Sequence, residues 1–196
     1  MTKRIFDIIF TIPGILVLSP ILIICAIWVR ADSPGEIFFR QVRIGKNGVP
    51  FRIFKFRTMV TDAEKRGKQI TIGNDSRVTK SGEFLRHYKL DELPQLFNVL
   101  LGEMSLVGPR PEVPRYIAEY SKEDREIVLS VKPGITDNAS IEFRSENEIL
   151  GKSPDPERAY IEDVLPIKIA YYKDYVKNNS LWGDFMIILK TFQAIF

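Results

Sequence analysis

The run Ile8–Val29, IIFTIPGILVLSPILIICAIWV, holds 22 residues without a charge, and its reading decides the architecture. As a straight helix it reaches about 33 Å, the thickness of a bilayer's hydrocarbon core. A secretory signal would end in small residues at a cleavage site, whereas Trp28, Val29, Arg30 and Asp32 follow here. Pro13-Gly14 and Ser19-Pro20 sit inside the run. Pro20 has no N–H to give the Leu16 carbonyl, and its ring crowds that carbonyl. The neighbouring Ser19 hydroxyl is placed to turn onto the Ile15 carbonyl and offset the disturbance. A bend is expected over residues 16–20, with Ser19 and Pro20 as its determinants. Lys3 and Arg4 precede the run, while Arg30, Arg40, Arg43 and Lys46 follow it. Cations favour the cytoplasmic side of a membrane, and here both ends carry them. A re-entrant helical hairpin that enters and leaves one face satisfies both ends; a plain span satisfies one. The expected organisation is therefore a re-entrant membrane helix over residues 1–30 and a cytosolic, membrane-associated domain over 31–196.

The chain has 196 residues, enough for one core and hardly for two. With 45% hydrophobic and 27% charged residues it is neither disordered nor fibrous. Its one cysteine excludes an internal disulfide framework, and its one histidine, His87, argues against a His/Cys zinc site and against Ser-His-Asp or Cys-His catalysis. Chemistry is left to carboxylates, Lys and Arg, with a hard cation such as magnesium. Charge is unevenly spread. Residues 40–86 hold twelve Lys or Arg against four acids, net +8; residues 112–163 hold thirteen acids against seven bases, net −6. Either the basic half meets an anionic partner, or the two halves face each other.

Beyond the membrane segment the pattern is mixed, an α+β class. Residues 36–44 and 50–59 read as strands joined by the turn Gly45-Lys46-Asn47-Gly48. Alternation puts Lys55 and Arg57 on one face of the second strand, a pair suited to a phosphate or to a solvated surface. Residues 61–80 read as a loop with a short helix, and 81–88 as a helix. In Leu90-Asp91-Glu92-Leu93-Pro94-Gln95-Leu96-Phe97-Asn98-Val99-Leu100-Leu101-Gly102 the apolar residues fall at helical spacing. Pro94 suits the first turn, and Gly102 the end. Asp91 and Glu92 then stand at the helix's positive end, where an ionised carboxylate is stabilised, as capping acids or as a functional pair. Gly108-Pro109-Arg110-Pro111 is a stiff turn that fixes where Arg110 points, either a rigid connector with an incidental Arg or, the favoured reading, a mount for a fork that grips a carboxylate or phosphate. Residues 132–136 read as another turn and 157–178 as helix except around Pro166. Residues 181–196 form an amphipathic tail that suits either a membrane surface or the core.

Together these segments resemble the bacterial sugar transferases known as monotopic phosphoglycosyl transferases, or polyisoprenyl-phosphate hexose-1-phosphate transferases. The resemblance is carried by Lys3-Arg4 with Asp7, Ser19-Pro20, Phe38-Phe39-Arg40-Gln41-Val42-Arg43 with Gly45 and Gly48, and Lys55-Phe56-Arg57-Thr58-Met59. It continues through Leu90-Asp91-Glu92-Leu93-Pro94-Gln95, Asn98-Val99, Gly102, residues 104–111 and Lys132-Pro133-Gly134-Ile135-Thr136. The family likeness implies transfer of a sugar 1-phosphate from a UDP-sugar to polyprenyl (undecaprenyl) phosphate with release of UMP. This is the first membrane step of glycoconjugate biosynthesis, on the cytosolic face of the bacterial inner membrane. It implies Asp91 as covalent nucleophile and magnesium ligand, and Glu92 as its catalytic partner in metal binding, orientation or assistance to the lipid phosphate. Lys55, Arg57, Arg86 and Arg110 are the implied phosphate-binding cations. Attack of one anion on another needs such neutralisation, and two half-reactions let a soluble and a lipidic substrate use one site in turn. The chain looks like the family's minimal form. Many members follow Pro-Gly-Ile-Thr with Gly-Trp-Ala-Gln-Val; here Asp137-Asn138-Ala139-Ser140-Ile141 stands instead, which suggests a branch and leaves the sugar open.

Expected partners are thus a UDP-sugar, polyprenyl phosphate and membrane lipids, with no nucleic acid; the oligomeric state stays open. A rival class, a membrane-anchored nucleic-acid or anionic-lipid binding module on residues 40–86, gives no role to Asp91-Glu92 or to Arg110. A lipid-phosphate phosphatase would need His87 as its nucleophile.

Overall fold

A computed structural model of the chain describes residues 2–63 and 75–195. Helix α1 runs from Thr2 to Asp32 through both Pro13 and Pro20. The Ser19 hydroxyl donates to the Leu16 carbonyl at 2.8 Å, the very group that Pro20 leaves without a donor, rather than to the expected Ile15 carbonyl. The repair is thus made within one turn. α1 is long and apolar enough to cross a membrane, and at its middle Leu16 and Val17 are 68% and 76% exposed. Its two ends behave differently. Asp7 and Thr11 near the start, and Leu22, Cys25 and Val29 near the end, are buried against the rest of the molecule.

The two expected strands over residues 36–44 and 50–59 form a β-hairpin, broken into four short strands: β1 (Phe38–Phe39), β2 (Val42–Ile44), β3 (Pro50–Arg52) and β4 (Lys55–Phe56). β1 pairs with β4 through Phe38↔Phe56, and β2 with β3 through Val42↔Arg52 and Ile44↔Pro50, so one antiparallel register runs through both pairs. The tip takes left-handed backbone at Asn47 and Gly48, φ 58° and 77°, as a tight turn requires. The break falls where the Phe54 N–H leaves the ladder and donates to the Asn98 side chain at 2.8 Å.

Helix α2 (Lys80–His87) starts at Thr79, whose hydroxyl accepts from the Gly82 N–H. A 3-10 turn, Leu90–Glu92, leads into α3 (Gln95–Leu101), which Gly102 ends in left-handed backbone at φ 84°. The single helix expected from residue 90 is therefore split. Pro94 precedes α3 rather than lying in its first turn, and the dyad stands on the 3-10 turn. Strand β5 (Ser105–Val107) pairs in parallel with β6 (Gly134–Thr136), a segment read from sequence as a turn. Two glycines permit this approach: a Cβ on Gly134 would lie 2.1 Å from the Gly108 nitrogen. The crossing puts Arg110 just beyond the end of β5.

The remaining chain is helical: α4 (Pro114–Ala118), α5 (Lys122–Val128), α6 (Asn138–Glu142), α7 (Glu146–Gly151), α8 (Pro156–Ala159), α9 (Leu165–Asn178) and α10 (Leu181–Ile195). A π-helical turn, Tyr160–Val164, sits where Pro166 was expected to disturb the helix. One core gathers Val113, Tyr116, Ile117, Tyr160, Leu165 and Tyr172 from these helices. A second packs Leu22, Cys25 and Val29 of α1 on Phe56 and Leu85. On α10, Asp184 and Ile187 face inward, while Leu181, Trp182, Leu189 and Phe192 are exposed. Mixed helix and strand places the fold in the α+β class. Most of the loop expected over residues 61–80 lies outside the described residues.

Candidate active site

The left-handed Lys89 (φ 56°) turns the chain after α2 and sets up the 3-10 turn that carries Asp91 and Glu92. At three residues per turn, neighbours on it diverge by roughly 120°, so the two carboxylates meet different surroundings.

Glu92 is gripped on both oxygens. Lys55 Nζ of β4 donates to Oε1 at 2.6 Å, and Arg110 reaches Oε2 at 3.2 Å with one nitrogen and Oε1 with the other. Glu92 and Lys55 are 17% and 16% exposed. Burial alone would push the Glu92 carboxyl up; the Arg110 and Lys55 charges override it and hold the group well below the usual carboxylate range. In return Glu92 keeps the Arg110 guanidinium charged well above its ordinary range.

Asp91 is 9% exposed, and among the described residues no hydrogen bond reaches its carboxylate. Burial pushes its carboxyl up. Lys55 opposes the rise, Glu92 adds to it, and Arg86 and Lys89 oppose it more weakly. The helix start expected to favour its ionised form is thus outweighed by desolvation. Arg86, at the end of α2, donates Nε–H to the Thr58 hydroxyl at 2.8 Å and stands as a positive neighbour of Asp91.

The structure therefore brings together Asp91, Glu92, Lys55, Arg86 and Arg110. It does not bring Arg57. That guanidinium donates to the Glu36 carbonyl (2.6 Å), the Ser33 hydroxyl (2.6 Å) and the Ser33 and Val29 carbonyls (2.8 and 3.4 Å). It caps the C-terminal end of α1, where orphan carbonyls and the helix dipole favour a cation. The shared face expected for Lys55 and Arg57 dissolves because β4 ends at Phe56. Ser19 and Pro20 stay within α1, and His87 is exposed, edge-on to Tyr88.

Two contributors were not expected at the site from the sequence. Asn98, fully buried on α3, donates to the Arg52 carbonyl at 2.9 Å and to Glu103 at 2.7 Å while accepting from Phe54. It fastens α3 to the hairpin and so holds Glu92 opposite Lys55. Its signal was a polar residue in an apolar helical stripe. Arg43 donates to the Pro111 carbonyl at 3.0 Å and to Gln41 at 2.7 Å, with its buried Nε left unpartnered; it lies behind Arg110.

Among the described residues no three His, Cys, Asp or Glu side chains gather into a ready-made metal cage. Magnesium does not demand one, since it commonly binds one or two carboxylates plus substrate phosphates and water. The unbonded Asp91 carboxylate fits that habit, whereas the occupied Glu92 does not.

The chain is similar to several curated proteins. A UDP-N-acetylgalactosamine-undecaprenyl-phosphate N-acetylgalactosaminephosphotransferase of Aeromonas hydrophila is 38% identical, over 98% of this chain and 43% of that protein. A UDP-glucose:undecaprenyl-phosphate glucose-1-phosphate transferase of Klebsiella pneumoniae is 41% identical, over 96% of this chain and 39% of its own length. The chain thus spans about two fifths of the length of these relatives. A Caulobacter vibrioides protein of the same glucose-1-phosphate transferase description is 34% identical over all of this chain and 70% of its own. The profile described as "Bacterial sugar transferase" matches residues 1–196. With that match running the whole length of the chain, and the Asp91-Glu92 pair set among Lys55, Arg86 and Arg110, the chain belongs to the bacterial sugar transferase family.

Proposed function

We propose that the chain transfers a sugar 1-phosphate from a UDP-sugar to polyprenyl phosphate, with Asp91 as the covalent nucleophile. The observation that carries this is the unequal state of two adjacent carboxylates. Glu92 has both oxygens bound by Lys55 and Arg110, while Asp91 is buried, unbonded and next to Arg86. Only Asp91 is available to attack. Its Oδ forms a bond to the phosphorus nearest the sugar, and the bond from that phosphorus to the bridging oxygen breaks, with UMP carrying that oxygen away. The lipid phosphate oxygen then attacks the same phosphorus, the Asp91–phosphorus bond breaks, and the carboxylate is restored. Neither step consumes a proton. Arg86 and Arg110 neutralise phosphate oxygens, and Lys55 shares that work as Glu92 yields it. Glu92 keeps the two cations aimed between turnovers. Asp91 is the residue that would hold magnesium, which when bound would supply further charge neutralisation. Arg57 is left out of the cradle.

The membrane reading is a re-entrant α1 with both ends on the cytosolic face. Its support is that Arg4 and Asp7 at one end, and Val29 and Asp32 at the other, all bond to the same domain. A plain span would put those ends on opposite sides of the bilayer. The exposed apolar residues of α10 then suit the lipid interface. The deciding experiment is a panel of UDP-sugars with polyprenyl phosphate, scored for UMP release and for a phosphosugar adduct on the protein. UMP release with one sugar and an adduct on Asp91 is expected; release of free phosphate instead would overturn the reading.

A further inference from the structure

The start of α1 takes no part in the reaction above, yet three of its side chains reach deep into the domain. Asp7 is 2% exposed, and its Oδ1 accepts from the Ser105 hydroxyl at 2.8 Å and the Leu106 N–H at 3.1 Å. β5 pairs with β6 through Ser105 and Val107, so the Leu106 N–H points to the strand's open edge. There Asp7 stands where a further strand would bond. Arg4 donates to the Val99 and Leu100 carbonyls at 2.5 and 2.8 Å, at the C-terminal end of α3. Lys3 donates to Asp184 at 2.5 Å, and the Tyr175 hydroxyl lies between Asp184 and the Val107 carbonyl, 2.9 and 3.0 Å from each. At the other end of α1, Asp32 accepts from the Ser81 N–H and hydroxyl at the start of α2. Every element that carries an active-site side chain is therefore tied to α1: α2 with Arg86, the strand of Lys55 through Arg57, α3 with the dyad before it, and β5 with Arg110 after it.

We propose that Asp7 is a positioning residue: it fixes β5 to α1, which Arg4 ties to α3, and so sets Arg110 opposite Glu92. The membrane helix is then part of the active site's frame as well as its anchor. From Leu106 to Arg110 the chain crosses only Val107, the tightly packed Gly108 and Pro109, with Pro111 beyond. Little slack lies between them, so a shift at Leu106 passes to the guanidinium. The activity readout rests on the transfer reading above; the exchange readout does not.

The test uses the full chain in phospholipid vesicles. Asp7→Ala should lower kcat by about 100-fold, the scale of an ångström's misplacement, with KM for the UDP-sugar within about twofold. Asp7→Asn keeps an oxygen at the Oδ1 position and should restore most of kcat. Ser105→Ala, which removes one of the two donors and disturbs folding least, should give a smaller loss confined to kcat. Amide exchange at Leu106 should accelerate in Asp7→Ala and stay slow in Asp7→Asn. If the wild-type chain transfers nothing while Leu106 exchange still follows Asp7, the functional reading falls and the brace stands. Wild-type kcat and Leu106 exchange in Asp7→Ala would overturn the proposal. So would equal losses in Asp7→Ala and Asp7→Asn that track only the folded, vesicle-bound fraction.

Discussion

Asp91 is held in an environment that resists its charge, because burial raises its carboxyl and Glu92 adds to the rise. A group whose folded pKa is raised contributes stability at low pH that is lost as pH climbs through that pKa. Asp91→Asn should therefore abolish both transfer and adduct while raising Tm at pH 7, by about 2–4 °C for each kcal/mol relieved. The gain should shrink as the pH is lowered. Thermal melting across pH checks this, and a Tm that falls at pH 7 would contradict it. A nucleophile must also be deprotonated, so activity should fall on the acid side as Asp91 takes up its proton. Glu92→Gln removes a charge that raises Asp91 and frees Lys55, which lowers it, so the acid limb should move to lower pH along with a reduced rate. A limb that stays in place or moves up would refute the coupling. Lys55→Ala and Arg110→Ala should each lose on the order of 100-fold in rate with the fold kept. Arg57→Ala should instead cost about 3 kcal/mol of stability through its lost helix-capping bonds, with activity following the folded fraction. Retention of most of the rate in both Lys55→Ala and Arg110→Ala would defeat the cradle.

At the scale of elements, the re-entrant topology proposed for α1 and a plain span are expected to lie close in energy. Pro20 costs a straight helix roughly 3 kcal/mol against alanine, and Ser19 offsets part of that by serving the Leu16 carbonyl. Ser19→Ala with Pro20→Leu should send some amino termini to the outer face. A cysteine near Thr2 in a Cys25→Ala background, labelled with a membrane-impermeant thiol reagent, reports it. Outside labelling without those two substitutions would mean a plain span. The hairpin, α2, Gly102 and the C-terminal helices were legible because periodicity and turn residues are local signals. The β5–β6 pair was not: its partners are about thirty residues apart, and three-residue strands are too short to show a period. The dyad's helix was misplaced by a few residues, since Lys89 adopts a left-handed conformation that nothing in a lysine announces. The loss of Arg57 from the site has a similar cause. Alternation predicts a face, but β4 stops one residue earlier and an exposed helix end claims the side chain.

Over the whole molecule, no ion pair among the described residues joins the two opposed charge halves. Basic residues are spent singly, Arg57 on a helix end and Lys55 on Glu92. Acids of 112–163 pair within their own half or with α9, as in Arg115–Glu157 and Lys173–Asp124. Net charge over a segment thus suggests an anionic partner without locating it. Since no cage of three metal ligands stands among the described residues, magnesium alone should shift Tm by less than about 1 °C. Magnesium with the UDP-sugar should shift it by several, as ligand linkage requires. A large shift with magnesium alone would point to a resident site. The Lys3–Asp184 pair joins residues 181 positions apart, and this bears on the order of synthesis. At 5–20 residues per second, Lys3 is made roughly 10–40 s before Asp184. Until Ser105 is made the helix has neither partner for its charged end, and until the interval closes it lacks Asp184. Its internal repair at Leu16 needs nothing made later, so the segment can wait in the lipid as an already satisfied piece, and the last long helix closes the frame around it.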